Sequence, residues 1–143
     1  FWDGPLGLAG AISNGRDIHA AQVLGCDFSL VGTRLVAAEE SLVEDAYRDM
    51  LVGCSLDDVV TTKAVSGVLA NWMRPSLEQA GIDPAAKSRA SIDFSGNIAS
   101  ANKAWKHVWS AGQGVGQINR HYRVAELVDE LHQGYRESRA RAL

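Results

Sequence analysis

Two short glycine-bearing turns are the residues best suited to chemistry. Gly10-Ala11-Ile12 and Gly32-Thr33-Arg34 each close a short apolar run, at residues 6–12 and 26–31. Small residues there let backbone N–H groups approach anionic oxygens, and the Thr33 hydroxyl adds one more donor. At the C-terminal ends of parallel strands such turns commonly hold phosphate. They equally serve to reverse the chain, and either turn alone favours that plainer role. Two of them on consecutive strands bring the readings level. A third stretch, Gly112-Gln113-Gly114-Val115-Gly116, follows a predicted helix bearing Trp105 and Trp109. A dinucleotide fingerprint requires G-x-G-x-x-G after a strand, so that reading is rejected. What remains is a loop with one amide, Gln113, flanked by Ser110 and two indoles. Apolar walls with few polar groups suit a flat heteroaromatic ligand. A helix–helix linker over core tryptophans explains the same pattern.

The other reactive side chains are scattered. His19, His107, His121 and His132 form neither H-x-x-x-H nor H-E-x-x-H, which argues against a metal site. His19 and His132 fall on helix surfaces, and His107 is the histidine near a candidate loop. Cys26 and Cys54 have no C-x-x-C spacing and are expected to be free thiols. No Ser/His/Asp set is arguable. Arg34 is expected to pair with Glu39 or Glu40 rather than with a ligand.

The elements that position these residues begin with a strand–helix–strand unit. Residues 17–24 place Ile18, Ala21 and Leu24 at helical spacing between the two apolar runs, with Gly25 as the C-terminal stop. Asn14 and its neighbours supply the N-cap. Two buried parallel strands joined by a helix make a βαβ unit. Ser41-Leu42-Val43-Glu44 has the form of a capping box, predicting a helix from residue 42 with Leu42, Ala46, Met50 and Leu51 on one side. Residues 57–68 read as extended, 76–80 as a short helix closed by Gly81, and 97–109 as a helix. The final helix, about 122–140, carries Val124, Leu127, Val128, Leu131 and Tyr135 as a stripe, with acids early and arginines late.

Composition bounds the function. With 14 Lys+Arg against 17 Asp+Glu, the net charge of −3 gives no electrostatic footprint for nucleic acid or an anionic membrane. No apolar run approaches the ~18–20 residues of a membrane span. The 143 residues suit one compact domain. They fall far short of the ~250 residues of a complete (β/α)8 barrel. The first residue is Phe1 and no secretory signal pattern is present, which suggests a processed chain or a fragment.

Taken together, the motifs resemble the C-terminal portion of the nitronate monooxygenase (2-nitropropane dioxygenase) family. Leu8-Ala9-Gly10-Ala11-Ile12-Ser13-Asn14-Gly15-Arg16 resembles the family's A-G-G-I-x-D-G-R turn. Leu24-Gly25-Cys26-Asp27, Val31-Gly32-Thr33-Arg34 and Glu39-Glu40-Ser41 are similar to its L-G-A-D, GTRF and T-x-E-S segments. Trp109-Ser110-Ala111-Gly112-Gln113-Gly114-Val115-Gly116 resembles its late SGQGVG loop. The likeness spans the chain from about residue 8.

The resemblance implies an α/β fold, the C-terminal part of an FMN-binding TIM (β/α)8 barrel with a mostly helical second region. Residues 1–38 would be the terminal βα units, 39–116 a helical cap and 117–143 the closing helix. FMN would be the cofactor. Gly10, Ala11, Gly32 and Thr33 would hold its phosphate, with Gln113 near the flavin ring. The implied substrates are an alkyl nitronate and O2, converted to a carbonyl compound and nitrite in the cytoplasm. Nothing in the residues predicts an oligomeric state. Ala11 departs from the family's second glycine, and Asn14 from its aspartate. The family's catalytic histidine has no counterpart here, so the isolated chain is expected to be a fragment, inactive and marginally stable. Two other readings compete: a non-catalytic remnant acting as an interaction module, and a flavin-dependent enoyl-acyl carrier protein reductase relative.

Overall fold

The computed structural model describes residues 2–86 and 108–141. It divides into two compact units, one joining Phe1–Gly53 to Gly112–Leu143 and the other comprising Cys54–Ala111. Among the described residues, no helix is long and apolar enough to cross a membrane.

In the first unit, β1 (Gly7–Ala9) pairs in parallel with β2 (Phe28–Leu30), Leu8 opposite Ser29. The helix α1 (Gly15–Val23) joins them and completes the βαβ unit. Both strands are shorter than the apolar runs suggest. β1 stops because Gly10 and Ala11 take φ of +98° and +58°, which no extended strand accommodates. Asn14 caps α1 reciprocally: its side chain accepts from the Asp17 N–H, while Asp17 accepts from the N–H groups of Ser13 and Asn14. At the other end Gly25 turns left-handed at φ +88°. Its N–H and that of Cys26 bond back to the carbonyls of Gln22 and Ala21, a Schellman closure.

Two further helices follow, α2 (Thr33–Val36) and α3 (Asp45–Gly53). The latter starts three residues later than its capping box suggests. Ser41 accepts from Val43 in a tight turn, and Arg48 donates to the Ser41 carbonyl, so this segment closes on itself ahead of the helix. Leu42 is accordingly fully exposed, and Leu51 is the buried residue of α3.

The closing helix, α5, runs from Val124 to Arg141; α4 belongs to the second unit. Glu40 accepts from the Val124 N–H at 2.9 and 3.1 Å, capping α5 from a distant loop and placing negative charge at its N-terminus. The predicted stripe is only partly used: Leu127 is buried, Leu131 and Tyr135 half-buried, and Val128 exposed. Helices α1 and α5 meet backbone to backbone at Gly15, where a Cβ would stand 2.0 Å from the Tyr135 nitrogen.

The second unit holds an antiparallel pair, β3 (Val59–Thr62) and β4 (Ala70–Met73), then α4 (Arg74–Gln79) with Pro75 in its first turn. Val65, Trp72, Leu77 and Val108 form its core, flanked by Val60, Ala70 and Ile82. Of the helix expected at 97–109, residues 97–107 lie outside the described residues, and Val108 and Trp109 are not helical. Trp109 instead runs beside β4, its carbonyl accepting from Met73 and its N–H donating to Ser76 Oγ.

Candidate functional site

The turns that follow β1 and β2 open onto one cleft of about 180 Å³, walled by Gly10, Ala11, Gly32, Thr33, Gly112 and Gly114 among others. Three sequence segments therefore converge where the reading of the turns expected two. The strand ends position the first two segments, and the short 3-10 turn Gln113–Gln117 carries the third. Thr33 Oγ1 links them by accepting from the Gly112 N–H at 2.9 Å. Its proton remains free to donate elsewhere. Gly114 closes against Ser13, since a Cβ there would stand 1.9 Å from Ser13 Oγ.

The backbone leaves room for an anion. A Cβ at Gly10 or at Gly32 would meet nothing within 4 Å, so both stand over open space. Thr33 is the first residue of the four-residue α2, whose Leu35 and Val36 N–H groups bond back to the Gly32 carbonyl. Ala11 is the non-glycine residue with positive φ among the described residues, and its methyl group is what a glycine would omit. The cleft wall carries two hydroxyls, Ser13, which donates to the Gly114 carbonyl, and Thr33, whose proton is uncommitted, among small residues that leave space for a phosphate group.

Gln113 is exposed and does not line the cleft, although its neighbours Gly112 and Gly114 do. His107 lies outside the described residues. His19 bonds Ser138 through Nδ1, His132 is exposed, and His121 pairs with Asp49 at 3.2 Å; none of these three walls the cleft. Cys26 and Cys54 are both free thiols. Burial pushes the Cys54 thiol up, and the Asp58 carboxylate adds to the effect.

Arg34 does not pair with Glu39 or Glu40. It is buried, 7% exposed, and donates to the Ser13 carbonyl at 2.8 Å, the Tyr122 hydroxyl at 3.0 Å and Glu130 at 2.9 Å. Glu40 is occupied as the cap of α5, and Glu39 binds through its backbone to Tyr122. Glu130 also accepts from Arg120 at 2.5 Å. Its burial works to raise the carboxyl pKa, but the hydrogen bonds from Arg34 and Arg120 and their charges prevail and hold it below the ordinary glutamate range.

This arrangement can be set beside known proteins. The sequence model described as nitronate monooxygenase matches residues 3–134. The chain belongs to the nitronate monooxygenase family. A nitronate monooxygenase from Paraburkholderia phytofirmans is 33% identical over 141 residues, covering 94% of this chain and 38% of that protein. A probable nitronate monooxygenase from Staphylococcus aureus is 28% identical over 140 residues, covering 90% and 39%. The chain therefore spans well under half the length of these family members. Among solved structures, FabK from Thermotoga maritima superposes with a TM-score of 0.74 at 24% identity, over 99% of this chain and 47% of that one. A nitroalkane oxidase from Streptomyces ansochromogenes gives 0.71 at 24% identity, over 99% and 42%. These likenesses support the α/β class of the fold.

Reading the sequence missed three parts of this site. Gly112 and Gly114 wall the cleft through their backbone, which the amide of Gln113 between them does not signal. Ser13 gave no signal beyond its place after the turn. The Arg34–Tyr122–Glu130 cluster joins residues 96 apart between Arg34 and Glu130, a separation that no local pattern reports.

Proposed function

We propose that the cleft is the phosphate cup of an FMN site in a nitronate-oxidising flavoenzyme built on a TIM (β/α)8 barrel, of which these residues form the last βα units. The observation that carries this reading is the convergence of two strand-end turns and the Gly112–Gly114 backbone on one cleft, with Gly10 and Gly32 over open space and Thr33 on its wall. Gly10, Ala11, Gly32 and Thr33 would hold the phosphate, and Thr33 would donate its hydroxyl proton while accepting from Gly112. Gln113, exposed beside the cup, would stand near the ring system. When bound, FMN would supply the redox chemistry by which an alkyl nitronate and O2 yield a carbonyl compound and nitrite.

This chain's own residues serve to bind and orient the cofactor. Among the described residues no cationic side chain walls the cup: Arg34 is not on its wall and is engaged with Ser13, Tyr122 and Glu130. Neutral N–H dipoles fixed by the fold would carry the binding of the dianion. Among the described residues His19, His121 and His132 do not wall the cup, and no histidine of the sequence matches the family's catalytic one, so the chain alone is expected to bind FMN without turning over nitronate.

Calorimetric titration of the chain with FMN tests the binding. Saturable one-to-one binding, weakened about tenfold by Thr33→Ala through loss of a charge-assisted hydrogen bond, is expected. Equal affinities for both proteins would contradict the assignment of Thr33. Nitrite release on adding a propyl nitronate to the FMN-loaded chain would overturn the expectation of inactivity.

A further inference from the structure

The turn after β1 is strained, and something must hold it. An alanine in the left-handed region persists only where its surroundings over-determine the conformation. Ala11 has open cleft on one side and lies two residues before Ser13, which is 2% exposed. Ser13 is tied at both backbone ends, its N–H to Asp17 at 2.8 Å and its carbonyl to Arg34 at 2.8 Å. The Asp17 tie stays within the same turn and helix. The Arg34 tie crosses to the other turn, because Arg34 directly follows Thr33.

We propose that Arg34 is the positioning residue of the phosphate cup, setting the spacing between its two turns through the Ser13 carbonyl, with Tyr122 and Glu130 orienting its guanidinium. The inference rests on reading the cleft as a phosphate site. Three groups in three directions occupy one planar fork: Nη1 to Ser13, Nε to Tyr122 and Nη2 to Glu130. The guanidinium carbon also lies 4.7 Å from the centre of the Tyr122 ring. A lysine, with one nitrogen on a flexible stem, keeps the charge but cannot span Ser13, Tyr122 and Glu130 together. Glu130 also accepts from Arg120, so the fork is tied to α5 through a carboxylate shared by two arginines. Shifting one turn relative to the other would move donors away from a bound phosphate while leaving contacts to the rest of the ligand unchanged.

The test compares FMN with riboflavin, which lacks the phosphate, in flavin-fluorescence titrations of the chain and of Arg34→Lys. Amide hydrogen exchange is followed in parallel without ligand over residues 9–16. The wild-type chain is expected to prefer FMN. Arg34→Lys is expected to lose about tenfold in FMN affinity with riboflavin affinity unchanged, and to exchange faster at residues 11–14 while α5 keeps its protection. Unchanged FMN affinity, or equal loss for both ligands, would overturn the proposal; the latter is what a merely structural role gives. Should Arg34→Lys fail to fold, Tyr122→Phe removes only the acceptor of Nε, and a loss confined to FMN of about threefold is expected. No loss there would overturn the proposal. If the wild-type chain binds neither flavin, the cofactor reading fails by itself, and exchange at residues 11–14 alone decides whether Arg34 positions the turn.

Discussion

Ala11 concentrates the tension between sequence and backbone at this site. Its φ of +58° costs an L-residue roughly 1–2 kcal/mol, part of which a glycine would return in unfolded-state entropy. Ala11→Gly is therefore expected to stabilise the chain by up to about 1 kcal/mol, read as a shift in urea midpoint without a change in slope. An unchanged or lowered midpoint would show that the methyl group packs usefully. That Gly10, Ala11, Gly32 and Thr33 sit at strand-end turns was legible because turn chemistry is local: a glycine after an apolar run admits the positive φ that ends a strand. The partner of Arg34 was not, because Glu130 reaches it only through tertiary packing. Glu39 and Glu40, the near acids, are recruited elsewhere, and proximity in sequence proved the wrong guide.

At the scale of elements, caps and stops were read best. Asn14 and Asp17 start α1, and Gly25 ends it, each by hydrogen bonds within a few residues. The capping box at Ser41 failed because the competing turn, held by Arg48, uses the same serine and its carbonyl. The junction of α1 with α5 was invisible in the sequence, since Gly15 and Gly134 carry no apolar signal. Yet it brings the two helices into backbone contact, with the Tyr135 nitrogen and Leu131 carbonyl 2.0 and 2.3 Å from where a Gly15 Cβ would lie. Gly15→Ala must push the helices apart and is expected to cost about 1–3 kcal/mol, lowering the melting temperature measurably. The same substitution at Gly53, where nothing lies within 4 Å, is the control and should leave the melting temperature within a degree or two.

At the scale of the whole molecule, the βαβ unit leaves apolar surface of its sheet uncovered. Phe28 and Leu30 are 60% and 55% exposed on the face of β2 opposite Ser29, and Leu6 is also exposed. A sheet with this much uncovered apolar surface is expected to bind a hydrophobic dye in the native state and to melt over a broad range. A sharp transition without dye binding would contradict that. Acid should weaken the fold in a defined window. Glu130 has its pKa held below the ordinary value of about 4.3 by Arg34 and Arg120 against the opposing effect of burial. Its contribution is fully present above that value and is lost as pH falls through the lower, folded one. Melting temperature should stay level from about pH 7 to 5.5 and fall below about 4.5, less steeply in Glu130→Gln. Equal slopes in the two proteins would place the acid sensitivity elsewhere.

The most direct test of the phosphate cup is a titration of the chain with FMN, set against Gly32→Asp. A Cβ at Gly32 points into open space, so the substitution is tolerated sterically while placing a carboxylate where the phosphate would bind. Saturable binding by the wild-type chain and its loss in Gly32→Asp, with the far-ultraviolet circular dichroism of the two unchanged, is the predicted result. Equal binding by both proteins, or none by the wild type at millimolar FMN, would contradict the cup.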